Sequence, residues 1–125
     1  MPRLLVIDDS MMIRQLAIAL LARRGWDVHA AESGEAGIEL ALEARPDGIL
    51  LDLDMPGLDG RMTLERLRQH PDTAGVPVAF LTASADELPP DHVRALGAQG
   101  VIAKPLNVAT TANDVADALG WTDER

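Results

Sequence analysis

Asp8, Asp9, Asp52, Thr82 and Lys104 are the side chains of this 125-residue chain whose types and spacing could together do phosphoryl chemistry. Each stands directly after a short, mostly apolar run: the Asp pair after LLVI, Asp52 after ILL, Thr82 after AFL and Lys104 after VIA. Three carboxylates brought to one place repel, and without a countercharge at least one must bind a proton. A hard divalent cation resolves the conflict. Magnesium takes oxygen ligands and is usually held by one or two carboxylates plus a phosphate. The chain has no cysteine, and His29, His70 and His92 are scattered without metal spacing, so magnesium suits this donor set better than zinc, with manganese as a substitute. An ionised aspartate beside such a metal can accept a phosphoryl group. The Thr82 hydroxyl can then donate to one phosphoryl oxygen while Lys104 neutralises another. Of eleven basic residues ten are arginine, so Lys104 is the single ammonium side chain, in a chain that otherwise uses guanidinium.

The elements that must position these residues alternate in period. Short apolar runs predict strands over Arg3 to Ile7, Asp27 to Ala31, Asp47 to Leu51, Val76 to Leu81 and Gln99 to Ala103. Four of these read as central; the second, with His29 among small residues, reads as an edge. Helical periodicity over Met12 to Arg24 puts Ile13, Leu16, Ala17, Leu20 and Leu21 on one face, and Gly25 ends that helix. Ser33 caps a second helix closed by Pro46, and Asp59 with Gly60 opens a third closed by Pro71. Pro89 and Pro90 fit only a first turn, which leaves Asp91 to Leu96 as a short fourth helix ending at Gly97. The fifth repeats Val108, Ala112, Val115 and Leu119, weakened by Thr110, Thr111 and Asn113. This βα rhythm predicts an α/β fold, a doubly wound three-layer sandwich of five βα units with a parallel sheet. Ligands of such sheets collect at the carboxyl ends of the strands, where the candidate residues stand.

Taken singly, each candidate has an ordinary structural use. Asp8, Asp9 and Ser10 precede a helix and can cap it. Asp52 between Leu51 and Leu53 is the hardest to dismiss, because a carboxylate at the end of a buried strand needs compensation. Thr82 can make a local turn, Lys104 can snorkel, and Asp59 reads as a helix cap. Met11, Met12, Met55 and Met62 read as packing residues. The conjunction of the five carries the argument.

Composition sets the frame. The length suits one domain, residues 1–120, followed by a polar tail at 121–125. With 47% hydrophobic and 25% charged residues, the chain has the make-up of a soluble globular protein with a sizeable core. A net charge of −9 opposes direct nucleic-acid binding and anionic membranes. The absence of cysteine fits a cytoplasmic protein, and the apolar run Leu4 to Ile7 is too short for a signal peptide or a membrane span.

The whole set, in LLVIDDS, ILLDLDMPGLDG, AFLTAS and VIAKP, resembles the CheY-like receiver domain of two-component response regulators, over essentially the whole chain. The resemblance implies a flavodoxin-like sheet of order 2-1-3-4-5 and Asp52 as phosphoacceptor. It implies that Asp9, with Asp8 and the backbone carbonyl of Asp54, positions magnesium, that Thr82 and Lys104 bind the phosphoryl oxygens, and that Lys104 and Pro105 join through a cis peptide. The implied partners are a histidine kinase or phosphotransfer protein and a downstream protein or output domain. Such a domain catalyses its own phosphorylation and hydrolysis and turns over no substrate as its purpose. Starting at Met1 and ending just after the fifth helix suits a stand-alone regulator or an excised N-terminal domain.

Two positions depart from the pattern. Many receivers carry an aromatic residue three before the lysine, and here that residue is Val101, which cannot repeat an aromatic rotamer change. Asp54 adds a fourth carboxylate near the mouth of the site, where it can strengthen metal binding, orient water or repel the incoming group. Ser84 is the other such mouth position. Two alternatives follow: a receiver-fold interaction module independent of phosphorylation, and a haloacid dehalogenase-type phosphohydrolase with Asp52 and Asp54 as nucleophile and acid. The second is disfavoured because its acidic metal pair would come last in the chain, whereas Asp8 and Asp9 come roughly forty residues before Asp52.

Overall fold

Apolar runs buried on both faces force the strands to pair side by side beneath two helical layers. In the computed structural model, which describes residues 2–121, the strands are β1 (Arg3–Ile7), β2 (Asp27–Ala31), β3 (Gly48–Asp52), β4 (Val78–Thr82) and β5 (Gly100–Ala103). Between them run α1 (Met11–Ala22), α2 (Gly34–Ala44), α3 (Gly60–Gln69), α4 (Pro90–Ala95) and α5 (Thr111–Leu119). All strand pairs are parallel, in the order β2-β1-β3-β4-β5.

The pleat divides the core. Leu4 and Val6 of β1 face α1 and α5, packing with Leu20, Leu21, Val115 and Leu119. Leu5 and Ile7 face the other way, toward Ala41 of α2, Leu64 and Leu67 of α3 and Val93 of α4. Alternation along a strand thus feeds two cores at once. The capping residues read from sequence serve as caps: Ser10 Oγ accepts from Ile13 N–H, Ser33 Oγ from Ala36 N–H and Asp59 Oδ1 from Met62 N–H.

Several expectations change. β3 and β4 start one and two residues later than predicted, so Asp52 and Thr82 are the last residues of their strands rather than the first beyond them. β5 is the second edge of the sheet, not a central strand, because among the described residues no strand pairs beyond it. Met11, Met12 and Met62 are solvent-exposed rather than packed, as is Leu16; the buried stripe of α1 is Ala17, Leu20 and Leu21. α5 begins at Thr111, because Asn107 Oδ1 accepts from Ala109 and Thr110 N–H and holds that segment in a turn, leaving Val108 exposed. A 3₁₀ turn, Ala85–Glu87, which no local pattern in the sequence announces, precedes Pro89 and α4.

Trp121, placed by sequence in a polar tail, is half-buried and packs against the core under α1 and α5. Its ring meets Trp26 edge-on with centroids 5.2 Å apart, and it packs so closely on Gly48 that a Cβ there would lie 2.7 Å from it. The rest of the expected tail, 122–125, lies outside the described residues. Among the described residues no helix is long and apolar enough to cross a membrane.

Candidate functional site

Strand register brings the candidates together. Ile7 pairs with Leu51, so Asp8 and Asp52 follow on adjacent strands; Thr82 pairs with Ala103, so Lys104 leaves β5 beside the end of β4. β1 and β3 flank the point where the chain reverses its winding direction, the crevice in which open α/β sheets bind ligands. One carboxylate oxygen from each of Asp8, Asp9 and Asp52 lies within 4.8 Å of the others. Asp8 and Asp52 are buried, 0% and 3% exposed, while Asp9 is exposed at the mouth.

Asp8 is held from several sides. Its N–H donates to the Ala31 carbonyl, its Oδ1 accepts from Ser10 N–H at 2.9 Å, and its own carbonyl accepts from the Arg14 guanidinium at 2.8 Å. Its Oδ2 is buried without an aligned hydrogen bond, its charge met by Lys104 Nζ at 2.9 Å. The same ammonium lies 3.3 Å from Asp52 Oδ1. Burial by itself would favour the neutral amine, but the hydrogen bonds and charges of Asp8 and Asp52 outweigh it and raise the Lys104 pKa. Lys104 therefore stands as the countercharge of the pair. The Lys104–Pro105 peptide is cis.

Asp52 is pushed up to about 6, first by burial and then by the charge of Asp8, against the Asp54 N–H, which donates to its Oδ1 at 3.1 Å, and against Lys104. A raised acid binds its proton more tightly folded than unfolded. Its contribution to stability is complete below the ordinary value of 3.8 and is lost as pH rises through about 6. In metal-free buffer the wild type should lose about 3 kcal/mol relative to Asp52→Asn between about pH 4 and about pH 7.5. Denaturant unfolding of both proteins at several pH values measures it, and parallel curves would remove the repulsion argument.

Thr82 and Asp54 stand on either side of this group in different ways. Thr82 is buried, and its Oγ1 accepts from Ser84 N–H at 3.0 Å within its own loop, which leaves the hydroxyl proton available. The Asp54 side chain is exposed and stands outside the three-carboxylate group; its backbone is what touches Asp52. Val101 is half-buried against the cluster under α3 and α4.

Arg14 and Gly60 were not singled out by sequence as site residues. Nothing in the spacing marks Arg14. Gly60 read only as a helix opener, yet a Cβ there would sit 2.5 Å from the Asp52 carbonyl oxygen and 2.7 Å from Leu53 Cα. These are backbone atoms that cannot swing aside, so glycine lets α3 start directly beneath Asp52. Gly60→Ala should lower stability by roughly 2 kcal/mol and shift the Asp52 loop, weakening divalent binding. Thermal unfolding together with a magnesium titration checks both, and an unchanged midpoint would show that α3 yields freely.

A family model described as the response regulator receiver domain matches residues 4–116. The chain belongs to this family. Receiver domains serve phosphorylation-activated signalling in two-component systems, interacting with histidine kinases or phosphotransfer proteins and with downstream targets. This receiver domain is 33% identical to Protein PilH of Pseudomonas aeruginosa over 95% of its length and 98% of that protein. It spans about half the length of other curated relatives that it matches, 51%, 46% and 42% in three of them. Among solved structures, the chemotaxis protein CheY4 of Vibrio cholerae matches with a TM-score of 0.85 at 30% identity, over 95% of this chain and 99% of that one. The receiver domain of sensor histidine kinase PA1611 from Pseudomonas aeruginosa, with a magnesium ion coordinated in its active-site cleft, matches with a TM-score of 0.82 at 25% identity, over 95% and 98%. The sheet order inferred from the resemblance, 2-1-3-4-5, is the order of this receiver's sheet.

Proposed function

We propose that this receiver domain accepts a phosphoryl group on Asp52 from a histidine kinase or phosphotransfer protein and thereby changes its affinity for a downstream partner. The observation that carries the reading is the buried pair Asp8 and Asp52 with Lys104 Nζ 2.9 Å and 3.3 Å away, opening onto the exposed Asp9. All donors in the group are carboxylate oxygens, two of the three on buried side chains, so the residues fit a hard divalent cation. Asp8, Asp9 and Asp52 would hold magnesium, joined by the Asp54 carbonyl. When bound, the ion supplies positive charge for the oxygens of the transferring group.

The residues of the chain divide the remaining work. An Asp52 carboxylate oxygen attacks phosphorus as the bond from phosphorus to the donor's imidazole nitrogen breaks, and the electron pair leaves with the imidazole. Asp52 must be ionised to attack, and a pKa near 6 leaves it so at neutral pH. Lys104 turns its ammonium from carboxylate to phosphoryl oxygen, and the Thr82 hydroxyl donates to another. The recharged site then biases an existing two-state equilibrium that the partner reads.

Incubation with acetyl phosphate and magnesium, followed by intact-protein mass, tests the reading. A phosphoryl adduct that disappears when a chelator replaces magnesium is the expected result. No adduct on a folded protein would overturn it in favour of an interaction module that works unphosphorylated.

A further inference from the structure

We propose that the open edge of β2 and the groove between it and α2 bind an extended, basic segment of another protein as an added strand. Asp27 N–H donates to the Pro2 carbonyl and the Ala31 carbonyl accepts from Asp8 N–H, so Asp27, His29 and Ala31 turn their backbone groups toward β1. In a parallel ladder the alternate residues face the other way. The N–H and C=O groups of Val28 and Ala30 therefore point out of the sheet at an edge where, among the described residues, no strand follows. Edges of this kind are usually blunted by lysine, proline or a covering element, and β2 carries neither residue.

Beside that edge lies a groove of about 570 Å³. Its floor is the edge of the strand at Ala30 with the side chains of Ala31, Ala36 and Leu40, small or largely buried, which leave room for an incoming backbone; its rim is Glu32, Glu39 and Glu43. Glu35, Glu39 and Glu43 recur every fourth residue along α2, a like-charge stripe that works against the helix. Among the described residues none of these four glutamates is in an ion pair.

Charge and spacing specify the occupant. Carboxylates four residues apart on a helix recur at about 6.0 Å, and side chains on one face of a strand at about 6.8 Å. Cations at every second position of an added strand can therefore each meet a glutamate while its backbone pairs with Val28 and Ala30. A second copy of this chain does not fit. Another β2 edge would bring glutamate against glutamate, and the β5 edge, Gly100–Ala103, carries no charge.

The test is NMR-detected amide exchange and affinity with a synthetic heptapeptide alternating lysine and valine, against a peptide of the same composition with its lysines in one block. Binding of the alternating peptide should slow exchange at Val28 and Ala30 by about tenfold or more, and Glu39→Lys with Glu43→Lys should weaken it by at least about tenfold. Both positions are exposed and Glu39→Lys gives Glu35 an i,i+4 partner of opposite charge, so the variant should unfold at or slightly above the wild-type temperature and take up the phosphoryl adduct as before. The milder pair Glu39→Gln with Glu43→Gln should give an intermediate loss. Unprotected Val28 and Ala30 amides, indifference to charge reversal, or peptide shifts centred on Asp9 and Asp54 would each overturn the proposal. Because the readout lies away from Asp52, its failure and that of the receiver reading are separable.

Discussion

Asp52→Asn will take up no phosphoryl group from acetyl phosphate and magnesium under conditions that saturate the wild type, while keeping the fold. The amide has nearly the shape of the carboxylate and can still accept the Asp54 N–H that now lies 3.1 Å from Asp52 Oδ1. What it lacks is the nucleophilic oxygen, so the loss should be complete rather than partial. The same substitution removes one of two buried negative charges. Without metal at neutral pH the variant should therefore be the more stable protein, by about 3 kcal/mol, since the wild type must ionise a group whose pKa burial and Asp8 have raised to about 6. Loss of adduct with gain of stability separates a functional carboxylate from a structural one, because a structural aspartate would lose stability on replacement. An adduct persisting in Asp52→Asn would move the acceptor to another carboxylate, with exposed Asp54 the nearest in sequence.

Lys104→Met should destabilise the metal-free protein by roughly 2 to 3 kcal/mol at neutral pH, a fall of about 8 to 12 °C in midpoint. The ammonium is within 3.3 Å of both buried carboxylates, and it is the only cation in ion-pair contact with them among the described residues. Its own pKa is raised in the fold, so its contribution is fully present below the ordinary value of 10.5 and intact at neutral pH. Methionine keeps the length of the stem and removes the charge, which leaves Asp8 and Asp52 to share one proton. Two treatments should restore the loss: acidification, which supplies that proton, and magnesium, which supplies the charge. Metal should stabilise the variant more than the wild type, where the cation must compete with the ammonium for Asp8. Calorimetry with and without magnesium at two pH values decides it. A midpoint that falls equally under all four conditions would mean that Lys104 contributes packing alone.

Much of this molecule was legible because its signals are local. LLVI, ILL and AFL announce buried strands; Ser33 and Asp59 announce helix starts by offering an oxygen to a free N–H. Where sequence pattern and structure differ, a contact outside the pattern decides the matter. Trp121 looks like the start of a polar tail until Trp26 and Gly48, far away in the chain, are seen to make its pocket. Val108 continues a helical period, yet Asn107 bonds the two N–H groups ahead of it and delays the helix. The methionines of α1 are apolar like its core residues, but the helix meets the sheet through Ala17, Leu20 and Leu21, which leaves Met11 and Met12 in its first turn exposed.

The candidate site divides along the same line. Residue type and order alone determined that this chain carries three acidic positions, a threonine and a single lysine at strand ends, and hence which family it resembles. The tertiary structure decided how they share the work. Parallel register sets Asp8 against Asp52 with Lys104 between them, buries two carboxylates and exposes the third, and turns the Asp54 backbone rather than its side chain toward Asp52. Burial and mutual distance are properties of strands that meet only after folding, and they raise the pKa of Asp52 and hold a charge on Lys104. No stretch of sequence contains them.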